Sequence, residues 1–395
     1  MNPAKRFLVV FLLPILALLP LGLVNVLFLD HSGELLDGEA VAKLQQEQPA
    51  LFGSATHDAP YRYKLALMVE RRLEIIVIGS SRVLALRQEM FQAPFANLGR
   101  TVNYPAEAVA VVDDILAGHH PQLVLFGLDP WWLNPVWRHA PDFRSHDEVG
   151  GALSPGAIMA PLRWLADGRI DLTVFTGRLL DSGSAERDGV ALLGIQALMT
   201  ERGYRDDGSL ARGLMLHGVG LAADFGFADT QVRIRSGQAQ FQFGDAVDVE
   251  RLGQLAEAIG RLQDAGIAVV TYVPPVAPTV LTAIADEGRK FAFIDATRAA
   301  FSSLGTSHLD AWDATVLGGN DCEFVDGFHH GETLDLRLLL AMSELAPVPL
   351  ADWLDRVELE HWLALSRGHS QIVPLLGHGT APESDFLGLG CAGRS

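Results

Sequence analysis

A chain of 395 residues is too long for one minimal domain and long enough to bury a large core. With 49% hydrophobic and 20% charged residues, the composition excludes a disordered chain. The formal net charge of -18 argues against a nucleic-acid partner, because phosphate binding needs a basic face.

The first predicted element is a helix. Phe7 to Leu29 carries no charge, with Lys5 and Arg6 before it and Asp30 after it. At about 1.5 Å per residue such a helix is about 34 Å long, enough for the hydrocarbon core of a bilayer. Val26-Leu27-Phe28-Leu29 offers no small-residue cleavage site, so residues 1–30 read as an uncleaved signal anchor. Pro14 and Pro20 are compatible with a membrane helix. The basic flank places the rest of the chain outside the cytoplasm, making this a single-pass membrane protein. Residues 31–73 are polar, with Gln45, Gln46 and Gln48 close together, and read as a juxtamembrane stalk or amphipathic helix.

Residues 74–346 show strand and helix patterns in alternation. Ile75–Ile78 is a short buried strand, Val83–Phe91 a helix and Phe95–Gly99 a second strand. Pro105–Gly118 is a helix with proline well placed near its start, and Leu123–Gly127 is an apolar strand. From about 134 to 247 the alternation stops, and this stretch reads as an insertion of mixed structure. Within it, Val232 and Ile234 face Ala239, Phe241 and Phe243 across Ser236-Gly237, which is a hairpin signal. Its turn-rich run Gly203–Ser209 reads as an exposed loop. Val249–Ala265 is then helical, and Ile267–Val273 is a β-branched strand stopped by Pro274-Pro275. Thr333–Leu345 is the last helix of the domain. Residues 347–395 add a helix over Leu350–Ser366 and a glycine-rich tail. The alternation predicts an α/β fold, a parallel sheet between layers of helices. The two cysteines, Cys322 and Cys391, read as unrelated thiols; a bridge between them needs a domain outside the cytoplasm.

In an open α/β sheet, ligands bind beyond the C-terminal ends of the strands. Gly79-Ser80-Ser81-Arg82 puts two hydroxyls just past such an end. A serine there needs a base to become a nucleophile. Asp326-Gly327-Phe328-His329 holds a carboxylate and an imidazole three residues apart, so His329 can take the proton while Asp326 fixes its tautomer. Arg82 reads either as a contact for an anionic substrate or as a salt-bridge partner at the strand end. Trp131, Trp132 and Trp137 follow the third strand; they can stack on sugars, but filling the core is the favoured reading. His119-His120 suits a helix C-terminus. No Cys or Glu cluster completes a metal site around His329-His330, and no Gly-x-Gly-x-x-Gly follows the first strand. No metal or organic cofactor is expected.

These blocks resemble the SGNH (GDSL-like) hydrolase superfamily. The likeness covers residues 74–133 and 247–346 and includes the strand and proline turn Val269–Pro275. With an N-terminal anchor, Gly-Ser-Ser-Arg is similar to membrane-anchored members of bacterial envelopes, among them relatives of alginate O-acetylation and teichoic-acid D-alanylation proteins. The resemblance implies a flavodoxin-like sheet and a domain in the periplasm, held at the inner membrane. It assigns the nucleophile to Ser81, the base to His329 and the orienting carboxylate to Asp326. Two blocks depart from the pattern. The oxyanion glycine corresponds to Gly99, at an unusual offset from Asn97. Gly127-Leu128-Asp129 has Asp where the family has Asn, and an ionised carboxylate cannot donate to an oxyanion. Asn97, Asn103 or Asn134 are the alternative donors, and Asp129 belongs to the cleft by position.

The expected activity is hydrolysis or transfer of an acyl ester on an envelope polysaccharide or other glycan, and sequence does not separate the two. The alternative is a non-catalytic glycan-binding or scaffold protein of an export or modification complex, which the altered third block favours.

Overall fold

A computed structural model describes residues 3–56, 61–70, 72–138, 154–218, 224–345, 350–366, 368–369 and 384–391. In the N-terminal helix, side chains are described at Phe7, Phe11 and from Leu19 onward. Among the described residues ten strands occur. In chain order they are β1 (Ala50–Phe52), β2 (Ile75–Gly79), β3 (Phe95–Gly99), β4 (Leu123–Gly127), β5 (Ala185–Arg187), β6 (Val190–Leu193), β7 (Gly203–Tyr204), β8 (Leu210–Ala211), β9 (Ala268–Val273) and β10 (Ser307–Asp310).

The central sheet runs β10-β9-β4-β2-β3 with every neighbour parallel. Parallel strands are covered on both faces, which is why β2, β3 and β4 are apolar almost throughout. Successive side chains alternate between two cores. Ile76, Ile78, Leu98, Val124 and Phe126 face one side, under Val111, Val112 and Ile115 of the helix Pro105–Gly118 and Leu255, Ile259 and Leu262 of Val249–Asp264. Ile75, Val77, Phe95, Leu123, Leu125 and Tyr272 face the other, under Leu336, Leu339 and Met342 of the helix Glu332–Ser343. Each such aliphatic side chain contributes about 1.5–3 kcal/mol by leaving water. The order places β2 between its two successors, so the connections after β2 and after β4 run in opposite directions, and their C-terminal ends form the switch point where open α/β sheets bind ligands.

The second sheet, β5-β6-β1-β7-β8, is mixed: β1 is parallel to β6 and antiparallel to β7. It joins the segment after the N-terminal helix to the insertion. The expected stalk is therefore folded, with helices Gly38–Glu47 and Tyr61–Glu70 flanking β1 and with Val41, Tyr63, Lys64 and Leu67 buried. Lys64 donates to the carbonyls of Asn97 and Gly208, bridging the central sheet and the insertion. The run Gly203–Ser209 is not an exposed loop, because Arg205, Asp207 and Ser209 are buried. The Asp207 carbonyl accepts from the Asn97 N–H at 2.7 Å.

Other expectations are corrected. Val83–Phe91 forms two short 3-10 turns, Ser81–Val83 and Gln88–Met90, rather than a helix. The carbonyls a helix would use are taken elsewhere: Asn97 Nδ2 donates to Val83 and Leu86, and the Leu210 N–H donates to Leu84. Ser236-Gly237 is not a hairpin turn; it ends the helix Ala228–Ser236, with the Gly237 N–H closing onto Arg233 and Ile234. Leu350–Ser366 splits into a turn, Leu350–Trp353, and a helix, Arg356–Leu365, capped by Asp355. Cys322 and Cys391 form a disulfide, tying residues 384–391 to the segment just before Asp326.

Pro3–His31 is one helix whose described outer side chains Phe7, Phe11, Leu19, Leu23 and Leu27 are exposed and whose inner end, through Phe28 and Leu29, packs on Trp164 and Phe175. Among the described residues no helix is long and apolar enough to cross a membrane; much of the expected span falls on side chains outside that set.

Candidate active site

The crevice at the end of β2 is shaped by backbone the chain can adopt only with glycine. Gly79 has φ +148°, and a Cβ there would meet Val83 at 2.9 Å and the Gly127 carbonyl at 3.0 Å. The strand thus breaks off abruptly. Ser80 caps the turn that follows, its Oγ accepting from the Arg82 N–H at 3.2 Å. Ser81 opens that turn with its side chain partly exposed.

The second block arrives from the far end of the domain. Asp326 Oδ1 accepts from the N–H groups of Phe328 and His329, closing a tight loop. Gly327 sits at φ +86° within it, pressed against Val280 and Phe227 where no Cβ fits. The loop aims Asp326 Oδ2 at His329 Nδ1, 2.7 Å away. With Nδ1–H donated there, Nε2 is left as an acceptor, and it lies 2.7 Å from Ser81 Oγ. The three expected residues thus meet in one hydrogen-bonded line. Burial pushes the His329 imidazole below its ordinary pKa against the pull of Asp326, with Arg212 and Arg82 lowering it further. Burial alone would favour neutral Asp326, yet its bonds to His329, helped by Arg212, hold the carboxyl below its ordinary value. A neutral ring beside an ionised carboxylate is the resting state a general base needs.

The other candidates have different places. Arg82 is buried: Nη1 donates to Asp129 at 2.8 Å, Nε to the Phe328 carbonyl at 2.9 Å, and Nη2 to the Pro274 and Pro275 carbonyls at 2.6 Å each. Its guanidinium also lies 5.1 Å from the Trp131 ring. Four of its five N–H donors therefore lock the Ser81 turn to the histidine loop, the proline turn and Asp129. Asp129 is enclosed with it, and burial pushes its carboxyl up against the pull of Arg82. Trp131 is buried in contact with Phe241 and Trp312, so the core reading holds for it and for the fully buried Trp132.

The oxyanion candidates have partners within the protein. The Gly99 N–H donates to Asn97 Oδ1 at 2.8 Å, and Asn97 Nδ2 serves Val83 and Leu86. Asn103 Nδ2 donates to the Arg100 carbonyl at 3.1 Å, and Asn134 Nδ2 to the Gln242 carbonyl at 2.8 Å. The Ser81 N–H, first in its turn, is the kind of donor a helical start leaves open. His330 does not join His329: its Nε2 bonds Asp335 Oδ1 at 2.8 Å in the interior.

Arg212 was not anticipated. It follows β8, whose Leu210 N–H binds the Leu84 carbonyl, and it interacts electrostatically with both Asp326 and His329. Nothing in the insertion's local pattern marks it, because its surroundings come from segments remote in sequence. No protein-family model, curated protein or solved structure matches the chain.

Proposed function

We propose that the protein is an SGNH-like serine esterase or O-acyltransferase that handles acyl esters of an envelope glycan. The observation that carries this is the line Ser81 Oγ–His329 Nε2 and His329 Nδ1–Asp326 Oδ2, 2.7 Å at each step. His329 takes the Ser81 proton as Oγ attacks the ester carbonyl, and the resulting imidazolium is held by Asp326. The tetrahedral intermediate collapses as His329 returns the proton to the departing alcohol oxygen. Water gives hydrolysis of the acyl-serine, and a second sugar hydroxyl gives transfer; His329 activates either one.

The reading places the domain outside the cytoplasm, held by a single-pass anchor at residues 1–30. The uncharged run Phe7–Leu29, the exposed apolar side chains along that helix and the Cys322–Cys391 bond, which an oxidising compartment preserves, support it.

A serine-reactive phosphonate tests the chemistry. Labelling is expected on the wild type and on Ser80→Ala, and none on Ser81→Ala. A second reading, a glycan-binding scaffold without turnover, is favoured by the partners already held by the Gly99 N–H (Asn97 Oδ1) and by Asn97 Nδ2 (the Val83 and Leu86 carbonyls). An unlabelled wild type that binds glycan selects it.

A further inference from the structure

Three short helices of the insertion, Pro155–Ile158, Ala160–Ala166 and Leu172–Leu180, pack against the inner end of the helix Pro3–His31. Phe175 of the third stacks on Phe28 with ring centroids 4.7 Å apart, and Leu179 packs against the same cluster. The opposite face of that third helix is Leu172, Thr173, Thr176, Gly177 and Leu180, all exposed, and it carries no charge. Its polar groups are turned back into the protein. Thr176 Oγ1 donates to the Leu172 carbonyl of its own helix at 2.8 Å, and Arg178 reaches inward to the Asp181 and Gly183 carbonyls. The carboxylates stand only at the two ends, where Asp171 accepts from the Val174 N–H and Asp181 from the Gly183 N–H. On this face Leu172 is 66% exposed and Leu180 89%. Surface helices elsewhere are built differently: Val249–Asp264 and Arg356–Leu365 set Glu250, Glu257, Glu358 and Glu360 among their exposed residues.

What covers the face follows from where it stands. About 20 apolar residues cross the core of a bilayer, so a span that begins at Phe7, just after Lys5 and Arg6, ends near Val26. Phe28 and Phe175 then lie at the boundary between acyl chains and headgroups. The exposed Leu23 and Leu27 carry the apolar surface of the anchor up to that level without a break in character. A helix lying at such a boundary buries its apolar face by about 5–10 Å. We propose that the Leu172–Leu180 face lies in the extracytoplasmic leaflet of the bilayer that holds the anchor, so that the domain rests on lipid as well as hanging from its first helix. This rests on the anchor reading and adds a second membrane contact to it. In a chain of net charge -18 the contact works through apolar area and needs no anionic lipid.

Cys322 and Cys391 are bonded to each other, so an introduced cysteine can be labelled selectively in the full chain. A polarity-sensitive fluorophore is placed in turn at Leu172→Cys, Leu180→Cys, Leu19→Cys, Val249→Cys and Val357→Cys. All five side chains are exposed, so the label displaces no core packing, and the two valines lie on helices that pack elsewhere. The labelled chains are reconstituted into phosphatidylcholine vesicles containing a lipid with a nitroxide near the headgroup or near the chain end. The Leu19 label should lose most emission to the chain-end nitroxide. The Leu172 and Leu180 labels should shift to the blue and lose most emission to the nitroxide near the headgroup, and the two valine labels should lose none. If the Leu172 and Leu180 labels are quenched no more than the valine labels while Leu19 is quenched, the inference is overturned and the face belongs to a protein partner. An unquenched Leu19 label fails the anchor reading instead, and the inference falls with it.

Discussion

Two consecutive histidines each meet a carboxylate, and the pairs have opposite characters. His329 bonds Asp326 within its own loop, stays partly exposed, and offers its second nitrogen to the Ser81 hydroxyl. His330 bonds Asp335 in the first turn of the next helix; both side chains are fully enclosed, and His330 Nδ1 has no hydrogen-bond partner among the described residues. The residue types are the same. What separates the two pairs is the group presented to the other nitrogen, and whether solvent can reach it.

Breaking the reactive pair should have the largest effect. Ser81→Ala or His329→Ala is expected to lower ester turnover by on the order of 10⁴-fold or more, with little change in unfolding midpoint. Breaking the enclosed pair should do the reverse. Asp335→Ala strands an imidazole in the interior and is expected to cost about 3 kcal/mol of stability in urea unfolding. Turnover per folded molecule should stay within about tenfold of wild type, since Asp335 touches no reacting atom. A loss of turnover as deep as that of Ser81→Ala would show that the two pairs act as one unit. The gentlest probe is pH. His329 titrates below the ordinary value of 6.5, so kcat/KM should be level at neutral pH and fall only on acidification beyond that value. Arg212 is one of the charges holding the ring neutral, so Arg212→Gln should move that acid limb upward. A limb that stays in place would separate Arg212 from the imidazole.

The same contrast explains what could be read from the chain. The β-branched runs of β2 and β9, the apolar run of β4 and the punctuation at Gly79, Gly127 and Pro274-Pro275 mark buried parallel strands locally, so the sheet and the place of Ser81 at the end of β2 were legible. The edge strand β10, Ser-His-Leu-Asp, is half-exposed and polar and carries no such mark. Val83–Phe91 has a helical pattern, but one distant side chain, Asn97, takes its carbonyls. Arg82 looked available because nothing local reveals that four acceptors from three remote segments close around it. The disulfide was missed for a related reason: two cysteines alone do not show that the tail folds back.

The sheet that places β1 between β6 and β7 has a mechanical consequence. Backbone bonds stitch the stretch after the N-terminal helix into the body, and His31 at the helix end reaches the Arg178 carbonyl at 2.9 Å. A joint built this way has no swivel, so turning the helix turns Ser81 with it. The crevice keeps one bearing and one reach relative to whatever grips that helix, like a tool fixed to its handle.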